Sequence, residues 1–138
     1  MSDAPLPTEV DRDGRSELHQ AALADDDARV AELVDAGFAL TLHDVTGLTP
    51  LHLAAQEHAI AAARRLLDAG AQVDAVDEHG NTPLFTAVFN SRGRPEMIAL
   101  LRERGADPLV ENRHGQSPLG LARLIGNFDV EQHFSDLS

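Results

Sequence analysis

Residues 47–71 read GLTPLHLAAQEHAIAAARRLLDAGA, and this stretch dictates a two-helix unit. Thr49 is placed to cap a helix with Pro50 at its first position. The missing proline N–H costs nothing there, because first-turn amides have no partner inside the helix. Leu51, Leu53, Ala54 and Ala55 make that helix apolar nearly all round. The pattern breaks at Glu57 and His58. A second helix is predicted over residues 60–69, turning Leu66 and Leu67 inward and ending on Gly70 in the left-handed conformation. Two short helices this rich in alanine bury too little surface to stand alone, so they require copies on either side.

The chain supplies the copies. Gly14, Gly47, Gly80 and Gly115 recur at spacings of 33, 33 and 35 residues. The same grammar follows each: GRSELHQAA, GLTPLHLAA, GNTPLFTAV and GQSPLGLAR. Ser16, Thr49, Thr82 and Ser117 share the cap position. Pro50, Pro83 and Pro118 follow the cap, with Glu17 in the first copy, where an acid also suits the helix N-terminus. Leu18, Leu51, Leu84 and Leu119 are the first core residues. The second helices end alike, in LVDAG, LLDAG and LRERG. Asp11, Asp44, Asp77 and Asn112 stand three residues before each glycine, where a short side chain can accept from nearby backbone N–H groups and close a turn.

A period of 33, T-P-L-H followed by two alanines, a G-A-x-V-D-A tail and D-x-x-G at the turn resemble the ankyrin repeat. Thr49, Pro50, Leu51, His52, Ala54, Ala55, Leu66, Leu67, Gly70, Ala71, Val73, Asp74, Ala75, Asp77 and Gly80 carry the resemblance, which extends over about residues 14–134. It implies an all-α solenoid of about four helix-turn-helix repeats (14–46, 47–79, 80–114 and 115–138) with short β-hairpin-like connections and capped ends. Residues 1–13, acidic and holding two prolines, are expected to form a disordered arm before the single domain of 14–138.

Departures from the repeat pattern mark where the copies differ. The first copy has Glu17 for proline and Asp25–Asp26 for the usual Gly-His, and reads as a polar cap. The third carries two extra residues, placed at Ser91–Arg92, so NSRGRPE becomes a longer loop and Pro95 starts the next helix. In the fourth, a helix over residues 129–137 offers Val130 and Phe134 to the stack and then stops.

Composition narrows the function classes. The 138 residues carry a formal charge of −12, which repels phosphate backbones and anionic membranes and steers in basic partners. Residues 1–35 hold ten acids against three arginines, a balance of −7, and the remaining 103 residues account for −5. There is no cysteine, hence no disulfide framework or thiolate metal site. Lysine is absent as well; with abundant Ala, Asp, Gly, Val and Arg, this usage points to a high-GC bacterial genome. No apolar run reaches the roughly 18 residues of a membrane span, and the N-terminus lacks a signal-peptide pattern. A cytoplasmic protein, monomeric when unbound, is expected.

Catalytic and metal chemistry find no support in the sequence. The resemblance implies that His19 and His52, in the T-P-L-H slot, make structural hydrogen bonds between repeats. His79 and His114 occupy equivalent turns in adjacent repeats, which the resemblance implies stack on the order of 10 Å apart, whereas zinc needs nitrogens about 2 Å from the metal. The Asp25–Asp27 run lacks the spaced, glycine-kinked oxygens of a calcium loop and reads as a solvated turn before a helix. No G-x-S-x-G, H-E-x-x-H, phosphate loop or G-x-G-x-x-G occurs. Arg92 and Arg94 lack the aromatic partners of a nucleic-acid platform, Phe89 aside. No cofactor, metal or catalytic residue is assigned.

What remains is a surface. The resemblance implies protein binding through a concave face lined by turn tips and first helices. Carried over by phase, its variable positions are Asp13 and Arg15; Val45, Thr46, Leu48, Gln56 and Glu57; Glu78, His79, Asn81, Phe89, Asn90 and Arg92; and Arg113, His114 and Gln116. Leu48 and Phe89 stand out, because the frame needs no apolar residue at either position and a large exposed hydrophobe beside arginine can anchor a partner. Folding of Phe89 beneath the NSRGRP loop is the equal alternative. Small bacterial proteins of this family include immunity proteins that neutralise toxins, often basic nucleases, and inhibition of such a toxin is the specific function expected. A general adaptor, scaffold or regulatory subunit is the alternative, and a hydrolase using Asp and His on the concave face ranks below both.

Overall fold

A computed structural model describes residues 9–137; the rest of the expected N-terminal arm, residues 1–8, lies outside the described residues. Eight α-helices follow in pairs: α1 Glu17–Leu23, α2 Asp27–Asp35, α3 Pro50–Gln56, α4 Ile60–Asp68, α5 Pro83–Phe89, α6 Glu96–Glu103, α7 Pro118–Ile125 and α8 Phe128–Glu131, the last running into a 3-10 turn, Gln132–Leu137. First helices stack on first helices (α1, α3, α5, α7) and α2, α4 and α6 on one another, giving two layers of one helix pair repeated along the chain. The connections are turns, with no strand among the described residues.

Each first helix starts the same way for the same reason. Ser16, Thr49, Thr82 and Ser117 accept from the N–H three residues on, satisfying an amide that the helix leaves unpaired. In α1 and α3 the third residue is histidine, and its Nδ1 accepts the cap residue's own N–H (Ser16, 3.0 Å; Thr49, 3.2 Å). The opposite ring nitrogen faces a carbonyl of the next repeat: His19 Nε2 to Leu48 O at 3.0 Å, His52 Nε2 to Asn81 O at 2.8 Å. A nitrogen facing a carbonyl must donate and one facing an N–H must accept, so both rings are neutral with the proton on Nε2. Burial holds both imidazoles below the usual histidine pKa, offset in part by those carbonyls.

The second helices end in one motif three times. Gly37, Gly70 and Gly105 sit at φ between 90° and 100°. The next residue's N–H reaches back to the carbonyl of Leu33, Leu66 or Leu101 at 2.9–3.0 Å, which satisfies orphan carbonyls at the helix end. Those three leucines are buried, Leu66 completely; truncating such a residue to alanine costs about 2–5 kcal/mol. Leu67, expected inward, is only partly buried and packs at the edge of the core.

The longer loop of the third repeat lies where the two extra residues place it. Asn90 ends α5, Ser91 is buried, Arg92 takes φ +50°, and Pro95 caps α6 from one residue before Glu96. The last helical segment is α to Glu131 and 3-10 beyond it, and it buries Val130 and Phe134. The Arg102 guanidinium lies 5.5 Å from the Phe134 ring centre and pairs with Asp136, pinning the segment to α6.

Candidate functional site

The turn tips form a zipper. In each, one side chain organises the turn: Asp11, Asp44, Asp77 and Asn112 accept from the N–H groups two and four residues on, at 2.8–3.0 Å. Asp11–Asp13, placed with the arm on sequence grounds, thus build the first tip. Successive tips join by one backbone bond each: Val45 N–H to Asp13 O, Glu78 N–H to Thr46 O, and Arg113 N–H to His79 O, all 2.9–3.0 Å. A single bond per pair is less than a strand. The tips pack so closely that a Cβ on Gly47 would lie 2.7 Å from Glu78 N, and those on Gly14 and Gly80 3.1 and 3.2 Å from the following tip. Beside Gly115, where no further tip follows, nothing lies within 4 Å.

The candidate residues fall into three rows. Asp13, Val45, Thr46, Glu78, His79, Arg113 and His114 lie on the tips with exposed side chains, while most of their backbones hold the zipper. Arg15, Leu48, Asn81 and Gln116 follow the tip glycines and are bound into the frame. Their N–H groups donate to the turn-closing side chain, and the carbonyls of Leu48 and Asn81 receive the histidines. Arg15 also pairs with buried Asp44 at 3.2 Å. Burial pushes Asp44 up, but the Leu48 and Thr46 donors and Arg15 outweigh it and hold the carboxyl below its ordinary pKa. Asn81 Oδ1 takes a bond from Asn112 Nδ2 at 2.8 Å. Leu48 is half-buried.

Gln56, Glu57, Phe89, Asn90 and Arg92 form the third row, at the C-terminal ends of α3 and α5. A groove of about 300 Å³ crosses the repeats here, lined by Leu23, Gln56, Glu57, Asn90, Arg92 and Arg94. Phe89 stands beside it, 69% exposed, rather than beneath the loop; Asn90 caps α5 and donates its amide to Thr86 O at 2.9 Å. Reading by phase overlooked three further apolar residues in the fourth repeat. Leu124 is 73% exposed, Ile125 45% and Phe128 76%. The signal was available: Leu124 lies 35 residues after Phe89, the spacing of the two repeats, and occupies the same position on α7.

Other side chains that looked solvated instead bridge repeats. Asp25 accepts from Ala62 N–H at 3.0 Å, capping α4, whose own cap residue, Ala59, has no side chain able to do so. Asp27 meets Arg65 at 3.4 Å, and His58 Nε2 meets Glu96 at 3.2 Å. Among the described residues, no group of three or more potential ligands is placed to hold a metal ion, and no helix is long and apolar enough to cross a membrane.

Tips zipped by single bonds, paired helices and a period of 33 agree with the comparison to known families. A family model of ankyrin repeats in three copies matches residues 18–112. The chain belongs to the ankyrin-repeat family. No curated protein gives a significant sequence match. Ankyrin repeats are protein–protein interaction modules and the family is generally non-catalytic, so the exposed third row is surface chemistry carried by a frame whose polar groups are otherwise committed.

Proposed function

We propose that the chain, folded as one ankyrin domain over 14–138, binds one protein partner through its concave face without catalysing a reaction. Phe89 carries this reading. It is a large side chain, mostly exposed, at the lip of an inter-repeat groove, in a protein whose other phenylalanines in the first three repeats, Phe38 and Phe85, are buried. A rigid aromatic beside a groove offers area to a partner at little entropic cost. The specific form we propose is inhibition of a basic protein, as by an immunity protein acting on a toxin in a bacterial cytoplasm, by a chain that is monomeric when free. The charge of residues 1–35 supports it, since a balance of −7 at one end steers a basic surface to that end.

The test is capture of the partner from the native host on immobilised chain, followed by measured affinity. Phe89→Ala should weaken the complex about tenfold or more, and the association rate should fall as salt rises. Unchanged affinity for Phe89→Ala would remove the anchor and this reading with it.

A further inference from the structure

The concave side is electrically polarised. Counting tip, first helix and inner loop in register, residues 13–27 hold five acids and one arginine, and residues 46–60 one acid and no arginine. Residues 79–95 hold two arginines and no acid, and residues 114–128 one arginine and no acid. The formal balance therefore runs −4, −1, +2, +1 along a chain whose total is −12. Thirty-two residues without an acid, in a protein with 23 of them, coincide with the part of the surface that exposes Phe89, Leu124, Ile125 and Phe128.

These positions belong together. Phe89 and Leu124 lie in the last turns of α5 and α7, which pack on each other. The loop bearing Arg92 and Arg94 touches the turn before Phe128, for a Cβ on Gly93 would lie 3.1 Å from Asn127 Nδ2. The arginines are available. Among the described residues Arg92, Arg113 and Arg123 form no ion pair, and Arg94 only donates Nε to Ser91 O. Among residues 13–27 and 46–60, by contrast, the one arginine, Arg15, is held by the Asp44 carboxylate. Glu57, across the groove from Arg92 and Arg94, is the one acid among its lining residues.

We infer that the third and fourth repeats dock an acidic segment of a partner protein, one that presents large apolar side chains to Phe89, Leu124 and Phe128 and carboxylates to Arg92 and Arg94. Charge complementarity selects this occupant. A basic segment is repelled here and welcomed at the other end, and a nucleic acid that meets these arginines must also approach a protein of charge −12. The inference rests on the concave face being a protein-binding surface and adds which chemistry each half selects.

Two synthetic peptides of about sixteen residues test it, with identical Leu and Phe at helical spacing and either Glu and Asp or Lys and Arg between them. Titrated into the full chain and followed by backbone amide NMR, the acidic peptide should shift residues 85–94 and 119–128. Arg92→Glu with Arg94→Glu should weaken it about tenfold, and Phe128→Ala about fivefold, with unchanged melting temperatures. No shift up to about 1 mM peptide, equal binding of the basic twin at the same residues, or tighter binding there of an oligothymidylate would each overturn it. So would sedimentation showing the patch already covered by a second copy. If the captured partner still needs Phe89 but binds the double arginine variant normally, the docking of an acidic segment fails while the concave-face reading stands.

Discussion

The first two repeats and the last two are built on one frame and present opposite surfaces. In the first two, nearly every polar group near the tips works for the fold. His19 and His52 bridge repeats, Asp44 gathers three N–H and hydroxyl donors and an arginine, and Asp25 caps a neighbour's helix. In the last two, the histidine slot becomes Phe85 and Gly120, the acids vanish from the inner side, and apolar side chains stand in solvent. The difference teaches that one frame can commit its side chains to neighbouring repeats, as Asp25 of the divergent first copy does, or leave them to offer, as Phe89 of the third.

The largest effect should come from the tip glycines, and it should differ between the halves. Gly47→Ala requires both a positive φ and a clash with Glu78 N, so a loss of about 3 kcal/mol or more is expected. Gly115→Ala meets open space and should lose only the conformational part, about 1–2 kcal/mol. Urea melts of the two variants decide it; equal losses would mean that the tips do not press on one another.

Next in size is the partner complex. Phe89→Ala should cost about 2 kcal/mol of binding but under about 0.5 kcal/mol of stability. The reverse ordering would make Phe89 part of the core and erase the contrast between the halves.

His52→Phe imports the third repeat's residue into the second. It leaves the Asn81 carbonyl and the Thr49 N–H without their partner, at a cost of about 1–3 kcal/mol. A wild-type melting curve would show that those bonds contribute nothing.

The smallest effect is that of pH, and it too should map to the first half. Burial holds the folded pKa of His19 and His52 below the ordinary 6.5. An unfolded chain therefore takes up more protons than the folded one as pH falls below that value. The stability these rings give by staying neutral is full above 6.5 and is lost as pH drops toward their folded pKa values. Midpoints measured at about pH 7.5 and about pH 5 should differ for the wild type and differ less for a double His19→Phe, His52→Phe variant, because Phe85 and Gly120 show that the slot need not titrate. An unchanged slope would locate the titrating groups elsewhere.

Much of the frame is legible in the chain because it rests on local rules read four times. A cap residue, a proline, an αL glycine and a turn acid each act over a few residues, so their period gave the helix pairs and the loop of the third repeat to within a residue or two. The surface was less legible. Leu48 and Phe89 look alike as apolar residues that the motif does not demand, yet one is half-buried and the other stands free. Asp25 and Asp27 read as solvated because their partners, Ala62 and Arg65, lie a full repeat away.

By itself, then, the sequence determined the repeat, its phase, the helices and their ends, since backbone geometry and capping are settled between near neighbours. Only the tertiary structure decided which side chains the stack consumes and which it leaves out. Exposure depends on what the next repeat places against a residue, and that contact spans 33 to 35 positions of chain. Gly47 meets Glu78 and Gly115 meets nothing, and Phe89 and Leu124 share a place on the surface, because folding sets residues of separate repeats side by side.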